Sequence, residues 1–242
     1  MKAFVTLQVL IVAAAVIAGC IIRPMIPNAG ITDIRTVEEI RGFDFDCITC
    51  IDELRRDPFA AFEGGGLVYG FMYDKSYTES MFVCTALDEI QCTSGIYKQN
   101  IRIEKRISGI CPEVGREVEL TVNGGICRRP KEQYAYNESL DPDMPGSSLL
   151  NILMLYGANF MKPGHQYLVS CVTKKDGEWR YYGTLPDRIS WLDLAENSDS
   201  IVTEPQGKMD YSRYADNEFF CRDEGTLAGA VARKQSIIKK YV

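Results

Sequence analysis

Apolar and polar positions alternate along much of the middle of the chain. Ile101, Ile103 and Ile107 are interleaved with Arg102, Glu104 and Arg106, and Val118, Leu120 and Val122 with Glu117, Glu119 and Thr121. A period of two puts apolar side chains on one face and charges on the other, which predicts half-buried antiparallel strands. Residues 67–73 and 80–86 are apolar and aromatic runs around Asp74-Lys75-Ser76-Tyr77, and they predict a hairpin. Residues 167–173 and 178–184, around Lys174-Lys175-Asp176-Gly177, predict another. Asn123-Gly124 is a tight-turn signal, with residues 125–129 as the returning strand.

Other stretches follow helical signals. Thr36 followed by Glu39 forms a capping-box pattern, with Gly42 as the stop. Asp46 can cap a helix over residues 47–56 that ends before Pro58. Residues 149–156 are apolar nearly all round, which predicts a buried helix capped by Ser147 or Ser148. The clearest helical pattern is the last. Leu227, Ala230, Val231, Ile237, Ile238 and Tyr241 share a stripe between residues 226 and 242, with acids before it and Arg233, Lys234, Lys239 and Lys240 towards its end. We expect it to dock on the domain. Residues 193–224 are acidic and poor in large aliphatics, so they read as an irregular loop held at Cys221.

The N-terminus changes the picture from a fold to a location. Lys2 precedes an almost wholly apolar run that ends in Ala18 and Gly19, which is the pattern of a signal peptide over residues 1–19. No later stretch is long and apolar enough to span a bilayer. Of nine Cys, Cys20 lies at the processing site. The other eight, Cys47, Cys50, Cys84, Cys92, Cys111, Cys127, Cys171 and Cys221, are even in number. In an exported chain they predict a disulfide framework whose connectivity the sequence leaves open. Cys20 is also a candidate lipidation site, because Val16-Ile17-Ala18-Gly19-Cys20 resembles the processing site of bacterial lipoproteins. Residues 20–46 form a leader, residues 47–222 a disulfide-rich domain with a sub-boundary at 131–146, and residues 223–242 the terminal helix. Residues 131–146 carry the acceptor Asn137-Glu138-Ser139, a glycosylation candidate.

Candidate chemistry is sparse. The formal net charge of -6 and a pI near 5.0 speak against nucleic acid as a partner. The single histidine, His165, sits in the turn sequence Lys162-Pro163-Gly164-His165, and no nucleophile-elbow motif accompanies it. One histidine also leaves little basis for a zinc site. Cys47-Ile48-Thr49-Cys50 is the one constellation with possible chemistry, a redox pair, but Asp44 and Asp46 add negative charge where a thiolate would form. The aromatic group Trp179, Tyr181, Tyr182 and Trp191 is expected to pack in the core. No catalytic, cofactor-binding or metal-binding residue is assigned, and no cofactor is implied.

Some of these features resemble a nematode-expanded family of small secreted cysteine-rich proteins of unknown function. The similar parts are Cys20, the spacer with Pro24 and Pro27, and Cys47-Ile48-Thr49-Cys50-Ile51-Asp52. Later, Val169-Ser170-Cys171 with Gly177-Glu178-Trp179 is similar. The helix expected at 149–156 and the basic tail helix fall outside that pattern. The resemblance implies secretion and no activity or site residues.

The sequence thus predicts a disulfide-stapled α+β protein with a predominantly antiparallel sheet, a few helices and a C-terminal amphipathic helix. Its expected function is a secreted, non-enzymatic interaction or structural module for an unknown extracellular protein or glycan. A thiol-disulfide oxidoreductase at Cys47/Cys50 and an envelope protein anchored to a membrane through Cys20 are the alternatives.

Overall fold

The computed structural model describes residues 30–63, 77–93, 95–131, 149–176, 178–183, 188–207 and 209–242. Its architecture is α+β with mostly antiparallel sheets and a C-terminal helix. The expected signal peptide, residues 20–29 of the leader, the 67–73 strand and Asn137 with most of its linker lie outside the described residues.

Five strands close on themselves: β2 (Tyr77–Thr93), β3 (Ile96–Ser108), β4 (Glu117–Asn123), β7 (Gln166–Asp176) and β8 (Glu178–Gly183). The order is β2-β3-β4-β8-β7, and β7 pairs back onto β2, so the sheet becomes a barrel. Only the β4–β8 contact within it is parallel. Its interior follows the alternation read from the sequence. Ile101, Ile103 and Leu120 are fully buried, with Phe82, Cys84, Val169 and Cys171 from the facing strands. The hairpin expected around Lys174-Lys175-Asp176-Gly177 is β7–β8, with Lys174 opposite Arg180. The side chains of Trp179, Tyr181 and Tyr182 lie outside the described residues, whereas Trp191 is core. Residues 80–86 belong to β2, and both edges of that segment are taken, by β3 and by β7.

Three expectations are corrected. Residues 149–156 are not a helix: Leu149–Met154 is strand β6, central in a second sheet between β1 (Cys47–Ile48) and β5 (Gly125–Pro130). A strand with neighbours on both edges and buried faces reads as a continuous apolar run, which periodicity cannot separate from a buried helix. Residues 47–56 are not a helix either. Cys47–Ile48 is the short strand β1, parallel to β6, followed by a 3-10 turn at Ile51–Glu53. The buried Gln206 amide substitutes for a strand there, accepting from Ile48 N at 3.0 Å and donating to Ile48 O at 2.7 Å. Finally, β5 (Gly125–Pro130) does not return along β4 but pairs with β6. Gly124 and Gly125 have φ of 137° and 87°. A Cβ on them would come within 2.3 Å of Met154 O and 2.8 Å of Tyr97 Cβ. These glycines let the chain step tightly from the barrel to the second sheet.

The helices fit expectation. Val37–Arg41 starts at Thr36 with the capping box formed, and Gly42 ends it. Glu224–Tyr241 is capped by Asp223, and its Ala230 and Ile237 share an apolar cluster with the barrel residues Met81, Val83 and Leu168 and with Leu192. Arg233 clamps it to Asp57 and Glu63 at 2.6–2.8 Å. Among the described residues no helix is long and apolar enough to cross a membrane.

Candidate functional site

A bulge in β2 begins the site. Between Ala86 and Ile90 the pairing with β3 slips, and residues 87–89 leave the ladder. The freed segment reaches the Val37–Arg41 helix, with Asp88 Oδ1 accepting from Val37 N at 3.1 Å and Ile90 N donating to Arg35 O at 2.9 Å. The turn leading into β7 closes on the same place, since Ala86 N donates to His165 O and Gly164 N to Ala86 O. Helix, bulge and turn, with the 196–198 and 211–216 segments opposite, enclose a cleft of about 670 Å³ at one end of the barrel. That volume is in the range of small-molecule sites.

His165 lines this cleft as the loop residue its turn sequence predicts. Its Nδ1 lies 2.9 Å from Asp193 Oδ2. A carboxylate there requires the proton on Nδ1, which leaves Nε2 as an acceptor in the neutral ring. The ring stacks on Tyr167, with centroids 6.5 Å apart and planes 29° apart.

Behind His165 lies a buried polar network. Asp193, at the end of β9 (Trp191–Asp193), is 1% exposed and also accepts from Ala195 N and Asn197 Nδ2. Asn197 Nδ2 also donates to Glu218 Oε2 at 2.9 Å. Glu218 takes Asp193 N at 2.8 Å and Lys234 Nζ at 2.5 Å. Lys234 donates as well to Ala195 O at 2.7 Å and is 5% exposed. Burial pushes the Glu218 carboxyl up to about 7, against the pull of Lys234. Burial also raises the Asp199 carboxyl, which accepts from Glu218 N and Phe219 N. A second hollow of about 450 Å³ lies on the helix side of this network, along Glu218, Lys234 and Ile238. Asn159 ties cleft and network together. Its side chain donates to Ala215 O and Asn217 O and accepts from Phe160 N and Tyr211 OH, while its main-chain oxygen accepts from Trp191 Nε1.

The eight cysteines after Cys20 are all buried and unbonded here. Burial raises the Cys47 thiol to about 12 and raises Cys50 further, with Asp46 and Glu53 adding to the effect. A reactive thiol needs exposure and a lowered pKa, so this is the opposite environment. Cys84, Cys111 and Cys171 share the barrel core, and Cys47 and Cys127 both sit opposite Ile152 in the small sheet.

Sequence reasoning singled out His165 but missed Asp193, Asn197, Glu218 and Lys234. A carboxylate inside Trp191-Leu192-Asp193-Leu194, and another just before Phe219-Phe220-Cys221, were the available signals. In the sequence Lys234 reads as one of the basic residues that suit the helix dipole, although it falls on the buried stripe.

No match was found among protein-family models, curated proteins or solved structures. Fold alone does not choose a function, whereas the cleft brings specific side chains together.

Proposed function

We propose that the protein is a secreted, disulfide-stabilised interaction module that binds its extracellular partner through the His165 cleft and performs no catalysis. The observation that carries this reading is the cleft itself, a concave site of small-molecule size lined by an imidazole that Asp193 holds in place. The signal-peptide pattern, the even count of eight cysteines and the resemblance to secreted cysteine-rich proteins support export. Support for stabilising disulfides comes from the gathering of thiols in the barrel core and in the small sheet. Glycosylation at Asn137 belongs to the same reading.

The test is intact mass of the chain after expression through a secretory route, alkylated in denaturant with and without reductant. We expect a mature form lacking residues 1–19 or 1–20, with the eight domain cysteines protected until reduction. Eight alkylated cysteines without reductant would contradict the disulfide reading. Alkylation confined to Cys47 and Cys50 would favour the oxidoreductase, and a diacylglycerol mass on Cys20 would favour the membrane-anchored envelope protein.

A further inference from the structure

We propose that the cleft takes a neutral, polyhydroxylated ligand of the saccharide class, with His165 Nε2 as a central acceptor. The inference rests on the cleft being the binding site and adds the chemistry of what it binds.

The cleft interleaves donors and acceptors of both charges. Asp88 spends one carboxylate oxygen on Val37 N and leaves the other at the rim. Glu196 places a second exposed carboxylate across the cleft. Lys162 Nζ gives two of its three N–H bonds to neutral oxygens, Asn197 Oδ1 at 3.2 Å and Asp216 O at 2.6 Å, and keeps one. Arg41 is already engaged by two further acids of the lining, Asp216 and Glu38. His165 adds its Nε2 acceptor.

An ammonium ligand that satisfied Asp88 and Glu196 would also meet Lys162. A carboxylate ligand that reached Lys162 would meet the two rim acids. A hydroxyl both gives and takes, so a ring carrying several of them can satisfy His165, Lys162 and the rim carboxylates together. Pre-orientation favours this match. His165 is held by Asp193 and Tyr167, Lys162 by Asn197, and Asp88 by the helix N–H. Groups fixed before binding lose little freedom when the ligand arrives.

The chain contains one histidine, so the Cε1–H and Cδ2–H resonances of His165 report on the cleft alone. The experiment titrates the full secreted protein with glucose, galactose, mannose, N-acetylglucosamine and their disaccharides. Acetate and methylammonium serve as charged probes. We expect at least one saccharide to move the imidazole signals saturably and the charged probes to leave them in place. Glu196→Gln and Asp88→Asn should each weaken that saccharide by about tenfold, with unchanged thermal unfolding as the control for folding. Saturation by acetate or methylammonium with no response to saccharides would overturn the ligand class and leave the cleft reading standing. No response to any probe would overturn both.

Discussion

The barrel interior and the polar network beside it solve the same packing problem by different means. In the barrel, Phe82, Ile101, Ile103 and Leu120 are fully buried and held by shape and apolar contact. Beside it, Asp193, Asn159, Glu218 and Lys234 are almost as deeply buried, at 1–6% exposure, and each is held by named hydrogen bonds. Apolar contact is non-directional and forgives small changes of shape. A buried charge is directional, and it is costly once its partner is gone. The barrel supplies cohesion, and the network sets where His165, the cleft floor and the terminal helix sit.

The strongest way to break this comparison is a pair of similarly conservative exchanges read by urea denaturation. Ile101→Leu in the barrel should cost less than about 1.5 kcal/mol. Lys234→Met keeps the length of the side chain but leaves the buried Glu218 carboxylate without its cation and Ala195 O without its donor, and should cost about 3–5 kcal/mol. Equal losses would erase the distinction between the two regions.

A pH series sharpens it. Glu218 is held at about 7 against its ordinary 4.5, so the folded state binds its proton more tightly than the unfolded chain. The resulting stability is fully present below about 4.5 and is lost as pH rises through about 7, by roughly 3 kcal/mol. Asp199, also raised by burial, acts in the same direction. Asp216, lowered by its bond to Arg41, acts oppositely, its contribution being lost as pH falls through the acid range. Glu218→Gln should flatten the fall between pH 4.5 and 7, whereas Ile101→Leu should leave its slope intact.

The smallest effect belongs to the cleft wall. Thr36→Ala removes the cap of the Val37–Arg41 helix and should cost about 1 kcal/mol, readable as a small shift of the urea midpoint.

The two regions also differ in how much of them the sequence discloses. Barrel strands β3 and β4 are legible because alternation is local, and so is the β7–β8 hairpin with its turn residues. The Thr36 cap and the terminal helix are legible for the same reason. Barrel closure is not, because β2–β7 and β4–β8 join segments far apart in sequence. Strand β6 was mistaken for a helix because burial on both faces removes periodicity. The network was the least legible part. His165 meets Asp193 across 28 residues and Lys234 meets Glu218 across 16, and no motif spans either gap. A lysine on an apolar stripe and an aspartate between leucines are the local traces, and they gain meaning only once the helix is docked.

The central claim is that this network fixes His165 with Nε2 presented to the cleft, and long-range ¹⁵N–¹H correlation of the single imidazole tests it directly. In the neutral ring a single tautomer is expected, protonated at Nδ1 and bare at Nε2, and Asp193→Ala should abolish that preference. An Nε2-protonated ring, or an averaged mixture that Asp193→Ala leaves unchanged, would contradict it.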